Sequence, residues 1–432
     1  MSRTSSPKLQ REIGVVGATV MGLGSIIGTG VFVSIGVAAG IAGAAVILAV
    51  IIGAIVATCN GLNSAQLAAN HPVSGGSYEY GYKYLNSWLG FTAGWMFLLA
   101  KTASAATAAL GFAGYLLNAT GLGGRGLLIP LALGTVVVIT TIVLSGIRRS
   151  NVANIIIVSI SLLSLVFFII AGTPTALRFG TEHFTPFFTG SIGTVLHASA
   201  LMFVAYTGYG RIATLGEEAI APRRTIPRAI IVTMVLTMLL YTAVAVVAVG
   251  TVGADVLGRS ASSGQAAPLE AVARTFGILG GSQVLAIGAI AAMLGVLLNL
   301  ILGLSRVLLA MGRRRDMPRI FARLNPSGTT PVPATIGVGI AIAVLVLIGN
   351  VKTTWSFSAF TVLIYYAMTN LAALYLPSHE RLYPKWLSLF GLAACLFLAF
   401  WVDSIIWQVG LALIVAGLIW HAAAQYVVRN ST

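Results

Sequence analysis

The first long apolar segment of the chain, residues 14–40, carries at its centre the stretch Gly22-Leu23-Gly24-Ser25-Ile26-Ile27-Gly28-Thr29-Gly30-Val31-Phe32. Four glycines fall within nine positions here. A membrane helix does not need them, because leucine, isoleucine and valine alone would form one. Glycine weakens a helix by about 1 kcal/mol relative to alanine and accepts backbone angles that break it. The stretch therefore predicts a helix that is interrupted halfway across a membrane.

Such an interruption leaves backbone N–H and C=O groups without helical partners. Inside a bilayer these groups are tolerated only where they face protein or a water-filled cavity. The N-terminus of the resumed helix also carries partial positive charge, which attracts an anion such as a carboxylate. The stretch therefore indicates a binding site built from backbone groups at the middle of the membrane.

The glycines have two other interpretations. Close helix packing would explain the spacing of Gly24 from Gly28 and of Gly36 from Gly40, because small residues one turn apart let two backbones approach. A dinucleotide fingerprint is disfavoured, because the spacing differs and no strand precedes the glycines.

The composition predicts an integral membrane protein. Of 432 residues, 58% are hydrophobic and only 8% are charged, whereas soluble proteins carry roughly 25% charged residues. The net charge of +15 comes from basic residues spread over short loops. Positive loops on one side of a membrane explain this distribution better than binding to nucleic acid does.

Cys59 and Cys395 lie in apolar segments without metal-binding spacing. We predict no metal, no cofactor and no enzymatic activity, because the predicted spans contain no paired carboxylates, histidine cluster or activated nucleophile.

Twelve stretches provide the roughly 20 apolar residues that a membrane helix needs. They follow a tail at 1–13 and lie near 14–40, 42–69, 87–118, 127–146, 151–172, 191–215, 228–251, 283–311, 332–349, 353–376, 385–402 and 405–427. Thr251 to Gln283 is the longest interruption and is predicted to be an outer loop.

The basic residues predict the orientation. With the N-terminus inside, most lysines and arginines fall in inner segments, and the outer loops hold only Arg125, Arg178, Arg259, Arg274 and Lys352. Both termini are therefore expected in the cytoplasm.

The sixth apolar stretch is the second one with a predicted interruption. It reads Leu201-Met202-Phe203-Val204-Ala205-Tyr206-Thr207-Gly208-Tyr209-Gly210-Arg211. Two interrupted helices five spans apart are the pattern of two inverted five-helix repeats that face each other across a midplane site. We assign the repeats to 14–172 and 191–376, with 385–427 as two peripheral helices. The recurrence favours the binding-site interpretation over packing alone.

Four stretches together resemble bacterial amino acid permeases of the amino acid–polyamine–organocation superfamily. The stretches are Gly24 to Phe32, Pro72-Val73-Ser74-Gly75-Gly76-Ser77-Tyr78-Glu79-Tyr80, Ala205 to Tyr209 followed by Glu217 to Arg228, and Ser305-Arg306 to Asp316-Met317-Pro318. The resemblance spans nearly the whole chain. It implies an all-α membrane fold with twelve transmembrane helices, a LeuT-like core of two inverted repeats with helices 1 and 6 broken, and a location in the bacterial inner membrane.

The resemblance also implies a substrate site between the two broken helices. The residues carried over are Ser25, Ile26, Gly28, Thr29 and Gly30 from the first and Val204, Ala205, Tyr206, Thr207, Gly208 and Tyr209 from the sixth. The Thr29 and Gly30 amides would hold a carboxylate. An ammonium would lie on the carbonyls of Ile26, Val204 and Thr207, and Tyr209 would line or gate the side-chain pocket.

Lys101 departs from the family pattern. Several proton-coupled members carry a lysine in the fifth helix, but residues 157–162 here contain none, and Lys101 lies in the third helix instead. A charge in mid-membrane is costly and is a functional candidate by default. Our hypothesis is that Lys101 stands in for a bound cation or titrates during the cycle. The alternatives are a lysine that extends to a polar edge or pairs with a carbonyl, and one that contacts an anionic substrate.

Other polar residues give weaker signals. Arg211 is predicted to pair with Glu217 or Glu218 in a cytoplasmic gate. Residues 294–299 offer no hydroxyl, which disfavours a sodium site. The five histidines are scattered, with His421 near the end of the last span, so they predict no metal site.

The sequence predicts a secondary active transporter that moves an amino acid through the lipid bilayer by alternating access, coupled to protons or working by exchange. No Walker A sequence is present. One alternative is an amine or polyamine carrier of the same fold, although the lack of acidic residues in the predicted interior disfavours polycations. The other is a sensor that binds substrate without transporting it.

Overall fold

The computed structural model describes residues 12–71, 75–122, 126–146, 151–213, 215, 218–262, 266–326 and 328–430. Within these ranges the regular structure is helical, apart from one isolated parallel bridge between Ile13 and Ala219. The helices are α1 (Val15–Ile26), α2 (Ile35–Ala42), α3 (Val46–Asn70), α4 (Ser77–Tyr84), α5 (Ser87–Ala119), α6 (Leu128–Leu144), α7 (Asn151–Phe179), α8 (Ile192–Tyr206), α9 (Gly210–Ala213), α10 (Pro222–Val252), α11 (Ala254–Ser262), α12 (Pro268–Ala273), α13 (Gly281–Arg313), α14 (Val332–Val346), α15 (Val351–Leu374), α16 (Lys385–Ala399) and α17 (Ser404–Asn430).

Length and composition of the helices support a multi-pass membrane protein. Eight helical runs in the described ranges are long and apolar enough to cross a bilayer, and the first of them runs from Gly30 to Asn70. Four more are apolar but shorter: Val15–Ile26, Leu128–Leu144, Val332–Val346 and Lys385–Ala399. Every predicted apolar stretch is occupied by helix, while the number of crossings, twelve, stays a prediction.

The predicted outer loop between Thr251 and Gln283 contains two short helices, α11 and α12. Leu257 and Ala261 of α11 are buried, and the helix packs against α2. A Cβ on Gly40 would lie 3.0 Å from the Gly258 Cα, and one on Gly36 would lie 2.6 Å from the Pro268 Cβ. The packing interpretation therefore accounts for the second pair of glycines, which let this segment cover the end of α2.

Helix α5 lies at the centre of the bundle. It packs against α13 and α15 as well as α6, α14 and α17. The middle of α5 is rich in buried alanines, including Ala100, Ala103, Ala105, Ala106, Ala108 and Ala109. Small residues let membrane helices approach closely. The helix begins where the Asn86 side chain accepts a hydrogen bond from the Leu89 amide, an N-cap that satisfies one free donor of the first turn.

Candidate functional site

The first interruption lies between α1 and a π-helical turn at Gly30–Ser34. Helix α1 ends at Ile26, and Ile27 is extended with φ −71° and ψ 111°. The Val31 and Phe32 amides both donate to the Gly28 carbonyl, at 3.2 Å. The first-turn amides of a helix, here those of Thr29 and Gly30, have no partner within it. They are thus available to a ligand at the start of the resumed helix.

The second interruption is a 3-10 turn at Thr207–Tyr209 between α8 and α9. The two interruptions touch through their backbones. A Cβ on Gly208 would overlap the Ser25 carbonyl and lie 2.6 Å from the Ile26 nitrogen, and one on Gly30 would lie 2.8 Å from the Ala205 Cα. Glycine is required at both points because no side chain fits between the backbones.

A cavity of about 940 Å³ opens beside this contact. Eight of the carried-over residues line it: Ser25, Ile26, Thr29, Gly30, Val204, Ala205, Thr207 and Gly208. Its other walls include Phe97, Ser104, Val296, Asn299, Trp355, Tyr365 and Tyr366. The two interrupted helices therefore contribute backbone and small side chains to one shared space.

Three of the carried-over residues, Gly28, Tyr206 and Tyr209, lie behind the cavity wall. A Cβ on Gly28 would meet Val296 at 2.6 Å. The Tyr206 ring packs against Tyr241, with centroids 5.2 Å apart, and the Tyr209 ring against Tyr366, at 5.3 Å. Of these two neighbouring rings, Tyr366 lines the cavity and Tyr209 packs behind it.

Aromatic side chains satisfy carbonyls around both interruptions. The Tyr241 hydroxyl donates to the Ile26 carbonyl at 2.9 Å and the Tyr366 hydroxyl to that of Thr207 at 3.1 Å. The Tyr115 hydroxyl donates to Phe32 (2.6 Å), and Trp355 Nε1 donates to the Leu201 carbonyl (3.0 Å). Sequence reasoning missed these four residues. The available signal was a tyrosine or tryptophan inside an apolar span, since such side chains find a hydrogen-bond partner when buried.

Lys101 reaches the second interruption. Its Nζ donates to Thr207 Oγ1 at 2.9 Å, and that hydroxyl donates in turn to the Val204 carbonyl at 2.9 Å. The side chain also lines the cavity. Among the ion pairs found in the described ranges, none includes Lys101. The lysine thus connects the third apolar stretch to the broken sixth helix.

The predicted gate residues lie at one end of the cavity. Arg211 and Glu218 line it together with Arg306, while Glu217 lies outside the described residues. The Glu218 carbonyl accepts hydrogen bonds from the amides of Glu12 and Ile13, each at 3.1 Å. The start of α1 is therefore fastened to the segment that follows α9.

The chain belongs to the amino acid permease family, whose sequence pattern matches residues 17–430. It is 36% identical to an uncharacterized transporter of Mycobacterium tuberculosis, over 98% of this chain and 93% of that protein. It is 27% identical to a branched-chain amino acid permease of Bacillus subtilis, over 78% and 74% of the two chains. A methylthioribose transporter of the same organism is 26% identical over 76% and 73%. The protein is a multi-pass membrane transporter.

Proposed function

We propose that the protein is a secondary active transporter that carries an amino acid across the bacterial inner membrane by alternating access. One observation carries the proposal: two broken helices meet backbone to backbone and line a common cavity. Freed backbone groups inside a membrane need a partner. An amino acid offers a carboxylate for the N–H groups and an ammonium for the carbonyl groups.

The carboxylate is assigned to the start of the resumed first helix. The Thr29 and Gly30 amides belong to its first turn, where the helix dipole places positive charge. Both residues line the cavity. The Ser34 hydroxyl, one turn further on, donates to the Gly30 carbonyl.

The ammonium is assigned to carbonyls of Ile26, Val204 and Thr207. Each of these oxygens already accepts a side-chain hydroxyl, from Tyr241, Thr207 and Tyr366 respectively. A carbonyl oxygen has two lone pairs. The Val204 and Thr207 oxygens also accept the backbone amides of Thr207 and Gly210, so the Ile26 oxygen is the one with capacity for a further donor. The other two would attract the ammonium through the negative ends of their dipoles. A cation at this point would lie close to Lys101, which donates to Thr207.

The charges that line the cavity favour a substrate without a cationic side chain. Among its described lining residues, Lys101, Arg211 and Arg306 are basic and Glu218 is acidic. A polyamine or a cationic amino acid would meet like charge at mid-membrane, where such repulsion is poorly screened. The charge distribution supports a neutral or acidic amino acid over the amine carrier.

The helix contacts support two inverted repeats. Under the proposed division, α1, α3, α5, α6 and α7 correspond to α8, α10, α13, α14 and α15. Three pairs of contacts then correspond: α1 with α10 and α8 with α3, α5 with α15 and α13 with α7, α5 with α14 and α13 with α6. A two-fold axis that relates the two halves produces this exchange of partners, and with five spans in each half that axis would lie in the membrane plane.

The shape of the cavity supports alternating access. It extends from the interruptions to Glu218, Arg306 and Thr330, all of which lie on the predicted cytoplasmic side. On the other side, α11 packs against α2 at Gly258 and Gly40. We assign this arrangement to an inward-facing state, whose outward-facing counterpart would require α11 to leave α2.

Reconstitution into proteoliposomes tests the proposal. Uptake of radiolabelled neutral, acidic and cationic amino acids would be measured with and without a proton gradient, a sodium gradient or internal amino acid. We expect uptake of a neutral or acidic amino acid that responds to protons or to internal substrate and ignores sodium. Saturable binding without uptake of any substrate would contradict transport and indicate a sensor.

A further inference from the structure

We propose that Asp316 and His421 form a proton-operated lock on α4, a helix that forms part of the inner cavity wall. The lock tightens when His421 gains a proton. It rests on the proposed function only in that the wall it holds belongs to the proposed substrate path.

One face of helix α4 lines the cavity and another is hydrogen-bonded to Asp316. Ser77 and Tyr80 lie on one face and line the cavity together with Gly75 and Gly76. Tyr78 and Tyr82, one turn apart on another face, both donate their hydroxyls to Asp316 Oδ2, at 2.6 and 2.7 Å. The position of this part of the cavity wall therefore depends on one carboxylate in the segment after α13.

Asp316 is fully buried, and its two oxygens have different environments. Oδ2 accepts hydrogen bonds from both phenols. Oδ1 has no hydrogen-bond partner among the described residues. His421 Nδ1 of α17 lies 3.4 Å from it.

His421 is equally buried, and neither of its ring nitrogens has a hydrogen-bond partner in the described part of the chain. Its ring is stacked on Phe91, with centroids 4.5 Å apart, and meets Trp88 edge-on at 5.1 Å. Trp420 of the same helix donates Nε1 to the Asp316 carbonyl at 2.8 Å. Helix α17 thus holds the ring beside the carboxylate without completing the bond.

Protonation places a hydrogen on His421 Nδ1 whichever tautomer the neutral ring adopts, and we assign it as the step that completes the pair. Helix α4 contributes Tyr78, Tyr82 and Glu79, the segment after α13 contributes Arg314 and Asp316, and α5 contributes only the uncharged rings of Trp88 and Phe91. Arg314 pairs with Glu79 at 2.7 Å and lies 4.0 Å from the Tyr82 ring centroid. Histidine ordinarily changes charge between roughly pH 5 and 8. Its protonated form would donate to Oδ1 in a charge-assisted hydrogen bond.

Trp88, whose ring meets the imidazole edge-on, is 47% exposed. Movement of this indole is the proposed route by which a proton reaches His421. The sensor therefore lies at the edge of the bundle while its effect is passed to the cavity wall.

Hydrogen–deuterium exchange of residues 77–84 tests the lock without any substrate. The protein in lipid nanodiscs is compared with His421→Gln and Asp316→Asn at pH 6 and pH 8. At pH 6 we expect exchange in α4 to be about tenfold slower in the native protein than in His421→Gln, the ratio that one added charge-assisted hydrogen bond gives. At pH 8 these two proteins should agree. Asp316→Asn replaces the carboxylate that accepts both tyrosines by a neutral acceptor, so its exchange should be faster than native at both pH values, with a ratio about tenfold greater at pH 6 than at pH 8. His379→Gln, at an exposed histidine, should match the native protein at both values.

The same ratio of native to variant exchange rates at both pH values would overturn the lock. Asp316→Asn keeps an acceptor for the two tyrosines, so it provides the test if His421→Gln does not fold. Uptake in proteoliposomes separates the two proposals. If the exchange difference depends on pH but no uptake is found, the lock is supported and the transporter is contradicted. If uptake is found but the exchange ratios do not depend on pH, the transporter is supported and the lock is contradicted.

Discussion

The Gly208 α-carbon lies against the Ser25 carbonyl, so closely that a Cβ at this position would overlap that oxygen and lie 2.6 Å from the Ile26 nitrogen. This contact joins the two broken helices. Both partners are backbone, so neither can yield by changing a rotamer.

Gly208→Ala should therefore separate the interruptions and abolish uptake, with a loss above tenfold. Overpacking of this kind typically costs about 1–3 kcal/mol, and here the strain falls on the site itself. Gly134→Ala is the matched control, because a Cβ there meets nothing within 4 Å. Uptake rates per folded protein would be compared, and near-native uptake by Gly208→Ala would contradict the contact's importance.

Lys101 and Thr207 should act as one unit. Lys101→Met removes the donor and Thr207→Val the acceptor of the 2.9 Å hydrogen bond, so the double variant should lose no more uptake than the more damaging single variant. The pH profile of uptake should change in Lys101→Met if the lysine titrates or replaces a cation. An unchanged rate and profile would remove that hypothesis, and additive losses would contradict coupling through this bond.

Tyr241→Phe should lower thermal stability. It removes the 2.9 Å hydrogen bond to the Ile26 carbonyl, and a buried acceptor left without a partner costs about 1–3 kcal/mol. A saturating substrate that supplies its ammonium to that carbonyl should restore part of the loss. Tyr375→Phe, at a residue 65% exposed, serves as the control. Equal melting temperatures for the two variants would show that the carbonyl does not need the phenol.

Glu270 of α12 should make stability depend on pH. Burial raises the pKa of its carboxyl above the ordinary 4.5, although Arg274, at 2.8 Å, opposes the shift. The folded protein then holds the proton to higher pH than the unfolded chain does. The protonated Glu270 carboxyl therefore contributes stability that is present below the ordinary pKa of 4.5. This stability is lost as the pH rises through the raised pKa of the folded protein. Glu270→Gln should therefore gain melting temperature relative to the native protein as pH rises from about 4 to about 7.

The control for this titration is Glu182→Gln, at an exposed carboxylate on the same predicted side. Its melting temperature relative to the native protein should not change with pH. A Glu270→Gln difference that is constant, or that falls with rising pH, would contradict the raised pKa.

Local composition was enough to predict the interruptions. Glycine at 22, 24, 28 and 30 and again at 208 and 210 marks weak helix, and the structure breaks both helices close to those positions. Lys101 could also be singled out, because a lysine inside an apolar stretch is rare whatever surrounds it.

The missed features depend on residues far apart in the chain. Nothing near Tyr241 or Tyr366 indicates that their hydroxyls reach carbonyls of other helices. The same holds for Asp316 and His421, because in the sequence the first belongs to a stretch that resembles the permeases and the second is one of five scattered histidines. The sequence predicts a loop where α11 lies, because the segment is short and its apolar positions, between glycine-containing and serine-rich segments, are too few to show periodicity.

An experimental structure with a transported amino acid bound tests the central claim most directly. The account predicts its carboxylate oxygens about 2.7–3.2 Å from the Thr29 and Gly30 amide nitrogens, and its ammonium on carbonyls of both interrupted helices. A substrate seated elsewhere in the cavity, with its carboxylate on Arg306 or Lys101 and the two interruptions unoccupied, would contradict it.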